Sequence, residues 1–234
     1  MNGKLNDFEK FALSKGVSTN TLNGFNNYSM RGGYMNPYII EERPLNAVTI
    51  DVFSRLMSDK IIFVGCEICP ESANIINAQL LYLNSICDKD EDVKLFINTP
   101  GGDVDSGLAI VDTMNFIVPD ISTIVMGMSA SMGSIISSSG TRGKRFILPH
   151  SKILIHQPMG GVAPGTQESD FAIAYEQIKQ CKDVLYKILA ENTGKTVEEI
   201  TADADRDHWL TAEESLPGAY GKYGLVDKIK QKYE

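Results

Sequence analysis

From about residue 38 the apolar positions follow two alternating rhythms. IIFVG (61–65) is a short continuous apolar run, as in a buried strand, and ESANIINAQLLYLNSI (71–86) has helical spacing with Ile75, Leu80 and Leu83 among its apolar positions. VKLFIN (93–98) is strand-like and stops at Pro100-Gly101-Gly102. DSGLAIVDTMNFI (105–117) is helical, and ISTIVMG (121–127) is a strand running into a serine-rich turn and helix. KRFIL and KILIH give two more strands, and a long helix covers roughly 167–192. A shorter helical stretch leads to DADRDHWLTAEE, and YGLVDKI closes the chain. Strands alternating with helices predict an α/β fold, a largely parallel sheet covered by helices. In such sheets functional groups gather beyond the carboxyl ends of strands. NTPGG, GMSASMG and IHQP fall at such ends.

The first 33 residues, rich in Asn and Gly (GVSTNTLNGFNNYSMRGG), lack this periodicity and read as a mobile leader or propeptide before one domain, 34–234. The length of 234 residues suits a single α/β domain with a sizeable core. A net charge of −8 argues against a nucleic-acid or anionic-membrane surface, either of which would want clustered Lys and Arg. The most apolar window, 116–136, is broken by Pro119, Asp120 and several serines, so no membrane span is expected. The first residues hold no uninterrupted apolar run of a secretory signal, and the four cysteines are too irregular for a disulfide framework; a cytoplasmic protein is expected.

GMSASMGSIISSSG (127–140) holds six serines, and one of them sits where strand, turn and helix meet. Entry into the helix after Ala130 puts Ser131 near a helix N-terminus, whose unsatisfied N–H groups favour developing negative charge. Around it Ser129-Ala-Ser131-Met-Gly133 keeps the small residues of a nucleophile elbow but not its leading glycine. A hydroxyl nucleophile needs a base. Of three histidines, His156 ends an apolar strand at the same sheet edge, whereas His150 sits in a turn and His208 in DRDHW. No Asp or Glu lies between Ser131 and His156, which excludes the order serine, acid, histidine. The acid therefore follows His156 or precedes Ser131, with Asp203, Asp205 and Asp207 the obvious cluster. Gly101 and Gly102 allow a substrate carbonyl close approach to the main chain, and the amide of Met132 is a natural second donor.

TPGGDVDSG, GMSASMGS, GKRFILPHSKILIHQPMGG and DRDHWLTAEE, in that order, resemble the proteolytic subunits of Clp proteases (the ClpP family), serine peptidases of crotonase-like fold. The resemblance runs from about residue 38 to 229. It implies repeated β-β-α units in a head, and a protruding handle helix within about 157–192. It implies Ser131 as nucleophile, His156 as general base, Asp207 as the orienting acid, and Gly102 and Met132 as oxyanion donors. Substrate chains would bind as an added strand along Gly102, Val104, Met159, Gly160 and Gly161. Two stacked homo-heptamers would enclose the sites, and an AAA+ Clp unfoldase hydrolysing its own ATP would deliver polypeptides. Phe96, Phe116, Ile124, Met126 and Phe146 would line its docking clefts. No cofactor is implied, and three scattered histidines with one Cys-x-x-Cys make no catalytic metal site.

Some residues point elsewhere. A Ser/Lys peptidase would use Lys144 or Lys152 as base, and a silent ring subunit or a crotonase-like acyl enzyme would not hydrolyse peptides at all. Asn192-Thr-Gly-Lys-Thr196 mimics the end of a phosphate-binding loop but has Leu189 where the leading glycine belongs; a helix C-cap is the simpler reading. Cys66-Glu-Ile-Cys69 lies between a strand and a helix as a redox pair would, where the family has an ordinary loop. Ser129 adds a hydroxyl beside the nucleophile, and Asp103 and Asp105 add carboxylates after the oxyanion glycines, which predicts poorer cleavage of acidic peptides. LPGAYGKYG carries an insertion, and leader removal is expected near residues 34–36.

Overall fold

Val93, Leu95, Ile97 and Thr99, alternate residues of VKLFINT, are fully buried in β4 (Val93–Thr99). This strand lies parallel between β3 (Ile61–Val64) and β5 (Ile121–Ala130). The computed structural model describes residues 38–43, 46–88, 90–218 and 223–233. The leader, its expected processing site and residues 219–222 of the LPGAYGKYG segment lie outside the described residues.

β5 runs three residues beyond the expected end at Gly127 and serves two neighbours. Residues 123–125 pair with β6 (Arg145–Ile147), and residues 128–130 pair with β7 (Lys152–Ile155), both parallel. The change of partner follows a register shift against β4 between Ile97 and Thr99. Gly127 takes φ +85° there, and its N–H donates to Ser151 Oγ at 2.8 Å while that of Met128 donates to Asn98 Oδ1 at 3.2 Å. A side chain at 127 would collide with Asn98 Oδ1, so this bend requires glycine. β8 (His208–Thr211) adds antiparallel to β7, and β9 (Lys228–Ile229) adds parallel to β6.

The helices cover this mostly parallel sheet. α1 (Val52–Ser58) precedes β3. α2 (Pro70–Ile86) buries Ala73, Ile76, Leu80 and Leu83; its phase is set by Ile76, and the neighbouring Ile75 is exposed. α3 (Val104–Phe116) follows β4, and α4 (Met132–Ser138) follows β5 with every residue buried. α5 (Glu168–Thr193) buries only Leu185, Tyr186, Leu189 and Ala190, all in its last third. Gly194 ends it in the left-handed conformation, and Thr196 and Glu199 form a reciprocal cap on α6 (Val197–Asp203). The phosphate-loop look-alike is therefore a helix stop followed by a helix start.

The described residues divide into two compact units. The first, ending at Arg55, contains the antiparallel hairpin of β1 (Tyr38–Arg43) and β2 (Asn46–Asp51); the second, from Leu56, contains the seven-stranded sheet. Among the described residues no helix is long and apolar enough to cross a membrane.

Candidate active site

Ser131 stands between the last residue of β5 and the first of α4 with φ 55° and ψ −122°. A non-glycine residue at positive φ is strained by about 1–3 kcal/mol, and such strain persists only where its surroundings over-determine it. Those surroundings are visible. The Ser131 N–H donates to Leu154 O at 3.0 Å, which continues the β5–β7 ladder, and its carbonyl accepts from the Ser134 N–H at 2.9 Å and Ser134 Oγ at 2.7 Å. Gly101 packs so closely that a Cβ there would lie 2.6 Å from Ser131 Cβ and 2.5 Å from Ala130 O. The sharp strand-to-helix turn of a nucleophile elbow is thus present without the leading glycine.

Gly102 and Met132 both border the cleft at Ser131. Gly102 forms an isolated parallel bridge with Ile68, in which Ile68 N–H donates to Gly101 O and Asp103 N–H donates to Ile68 O, both at 2.8 Å. A parallel bridge of this kind uses the flanking groups, so the N–H of Gly102 points away from Ile68. Gly102, Met132, Ser131 and His156 line one cleft of about 90 Å³, with Val104 and Met159 at its walls. The Met132 N–H belongs to the first turn of α4 and has no acceptor within its helix.

β7 positions His156. Ala130 pairs with Leu154, so Ser131 and His156 emerge at the carboxyl ends of adjacent parallel strands. Gln157 O lies 2.5 Å from His156 Nδ1, and as a carbonyl oxygen it can only accept in this bond. Asp207 approaches by register: β8 pairs Ile155 with His208, and His156 and Asp207 are the next residues along the two strands. Asp207 is exposed and shares a second cleft with His156. Among the described residues, neither Ser131 Oγ nor the Asp207 carboxylate is hydrogen-bonded to the imidazole.

The other expected residues divide. Met159 is 83% exposed, Gly160 lies against Ile178, and Gly161 faces open space. Asp103 is turned away from the cleft. It caps α3, accepting from the N–H and Oγ of Ser106, and these bonds hold its carboxyl below the ordinary range. Ser129 is fully buried and donates to Ser137 Oγ at 3.1 Å, so its hydroxyl is engaged away from Ser131. Lys144 is clamped by Asp92 and Asp120 at 2.7 Å each; Asp120 and then Asp92 raise its pKa, the wrong direction for a base. Lys152 lies over the Trp209 ring at 4.3 Å. Phe96 and Ile124 line a further cleft with Lys94 and Tyr233, whereas Phe116 is exposed at the end of α3 and Phe146 lies under Lys230.

Three residues escaped the sequence reading. Asn98 shapes the β5 bend. Thr99 Oγ1 donates to Cys66 O at 2.5 Å and accepts from the Gly101 N–H at 3.1 Å. Gln157 Nε2 donates to Asp205 O at 2.7 Å, which ties the His156 strand end to the Asp207 loop. Only strand-end position and a polar side chain beside a glycine or histidine signalled them, and the partners come from distant segments.

The sequence profile described as Clp protease matches residues 45–233. An ATP-dependent Clp protease proteolytic subunit of Porphyromonas gingivalis is 46% identical over 97% of this chain and 99% of its own length. One from Bacteroides fragilis is 46% identical over 96% of this chain and 98% of its own. One from Streptococcus gordonii is 51% identical over 83% and 96%.

Proposed function

The chain belongs to the Clp protease family of serine endopeptidases, and from that premise we propose that Ser131, His156 and Asp207 are its catalytic triad. His156 Nε2 takes the Ser131 proton as Oγ attacks the scissile carbonyl. The N–H groups of Gly102 and Met132 receive the oxyanion. The imidazolium then protonates the leaving amine, and water attacks the acyl-enzyme by the reverse proton route. Asp207 swings from solvent onto Nδ1, replacing the Gln157 carbonyl and stabilising the imidazolium better than a neutral acceptor can. The observation that supports this reading is the shared cleft of Ser131, His156, Gly102 and Met132, with Asp207 lining a second cleft beside His156.

Substrate chains lie extended beside Gly102 and Val104 on one side and Met159, Gly160 and Gly161 on the other. Their delivery by an AAA+ Clp ATPase follows the ATP-dependent naming of the relatives. The subunits form two stacked heptamers, for which the exposed Phe171, Ile173 and Tyr175 of α5 supply apolar contact surface. The protein works in the cytoplasm, with residues 1–33 removed as a leader. Peptide hydrolysis by purified wild type and three variants tests the triad. Ser131→Ala and His156→Ala should lose at least about 1000-fold in kcat, and Asp207→Asn at least about tenfold. Retention of activity by His156→Ala would overturn it.

A further inference from the structure

Cys66 and Cys69 flank Ile68, which lies outside the main ladders and is bonded through its main chain to the oxyanion segment. Ile68, between them, exchanges two 2.8 Å hydrogen bonds with Gly101 and Asp103. The Cys66 carbonyl is joined through Thr99 Oγ1 to the Gly101 N–H. The backbones touch: a Cβ on Gly102 would lie 2.1 Å from Ile68 O. Both thiols are free; Cys66 is exposed and Cys69 half-buried as the N-cap of α2.

We propose that Cys66 and Cys69 form a redox-sensitive modification site that switches the peptidase off when oxidised, an inference that rests on Gly102 acting as an oxyanion donor. A disulfide needs Cα atoms about 4.4–6.8 Å apart, a span that a turn at the two intervening residues supplies and that an extended bridge at Ile68 opposes. Cys69 is extended, with φ −142° and ψ 170°, and Ile68 is held in its bridge. Closing the disulfide therefore folds the 66–69 segment into a turn and pulls Ile68 off Gly101 and Asp103. Gly102 then loses the neighbour that fixes its plane, and the oxyanion loses a donor.

The chemistry needs a two-electron oxidant, and a small-molecule disulfide suffices. The exposed Cys66 thiolate attacks one sulfur and expels the first thiolate. Cys69 then attacks the mixed disulfide at Cys66 and expels the second. Net, two protein thiols become one disulfide and the small disulfide becomes two thiols, with both protons passing to them or to solvent. A dithiol reverses the exchange.

The test treats the assembled wild-type protein with oxidised glutathione and follows peptide mass mapping and hydrolysis together. The expected result is a Cys66–Cys69 link, a fall in kcat of about tenfold or more, and recovery with dithiothreitol. Cys66→Ser and Cys69→Ser should hydrolyse peptide as the reduced wild type does and be indifferent to oxidant. Failure of the link to form, a link that leaves kcat unchanged, or equal inhibition of both variants would overturn the switch. Inactivity of the fully reduced wild type would instead count against the peptidase reading.

Discussion

Ser131 is the proposed nucleophile, and with Lys60 it is one of two non-glycine residues at positive φ among the described residues. A serine at φ 55° is retained because Leu154, Ser134 and the glycine at 101 fix it from three sides. Gly101→Ala should lower kcat by about 100-fold or more, because its methyl would displace the elbow and the donor beside it; steady-state peptide hydrolysis checks this. Gln157→Ala removes one hydrogen bond between the His156 and Asp207 segments, worth about 0.5–1.5 kcal/mol. It should lower kcat by about 3–10-fold with KM nearly unchanged. Lys144 offers the contrasting outcome. Because Asp120 and Asp92 keep it charged, Lys144→Met should stay within about twofold of wild-type kcat, provided thermal melting shows it folded. Activity lost with Lys144 and kept without His156 would restore the lysine-base reading.

The strands and helices were legible because their apolar runs are bounded by glycine, proline and polar turns. IIFVG, VKLFIN and the 71–86 and 167–192 helices fall within a residue or so of the observed elements. The placement of Ser131 and His156 at the carboxyl ends of strands was legible from the sequence pattern. The hand-over of β5 from β6 to β7 was not legible. It depends on Asn98 and Ser151, contributed by other segments, meeting the turn at Gly127. The phase of α2 was also hidden, since Ile75 and Ile76 are equally apolar and only packing on the sheet selects Ile76. The approach of Asp207 to the His156 strand end follows from the β7–β8 register, which no local pattern encodes.

One element contact is held by charge. Arg145 on β6 meets Asp227, beside β9, at 2.7 Å, and also donates to the carbonyls of Ser138 and Asn192. Burial by itself would raise the Asp227 carboxyl, but the Arg145 side chain, with the N–H groups of Arg145 and Gly143, outweighs it and holds the pKa below the ordinary value. A depressed carboxylate contributes stability that is complete above the unfolded-state pKa and is lost as pH falls through the folded one. Asp227→Asn should therefore destabilise by about 3 kcal/mol at neutral pH. It should lose less than wild type as the pH drops below about 4. Denaturant melts across that range measure both effects.

At the scale of the whole molecule, the structure leaves apolar surface that one subunit does not use. The first two-thirds of α5 bury none of their residues, and Phe171, Ile173 and Tyr175 are more than half exposed. If this helix joins two rings, Tyr175→Glu should halve the native mass by setting a carboxylate into that contact. The Asp207 carboxylate, exposed and unengaged in the single subunit, should then also respond to assembly. The active-site claim itself is tested most directly by labelling the assembled protein with a fluorophosphonate and mapping the adduct by mass spectrometry. The account predicts one adduct per subunit, on Ser131 alone, absent from Ser131→Ala. An adduct on another serine, or an assembled and folded protein in which Ser131 stays unlabelled, would contradict it.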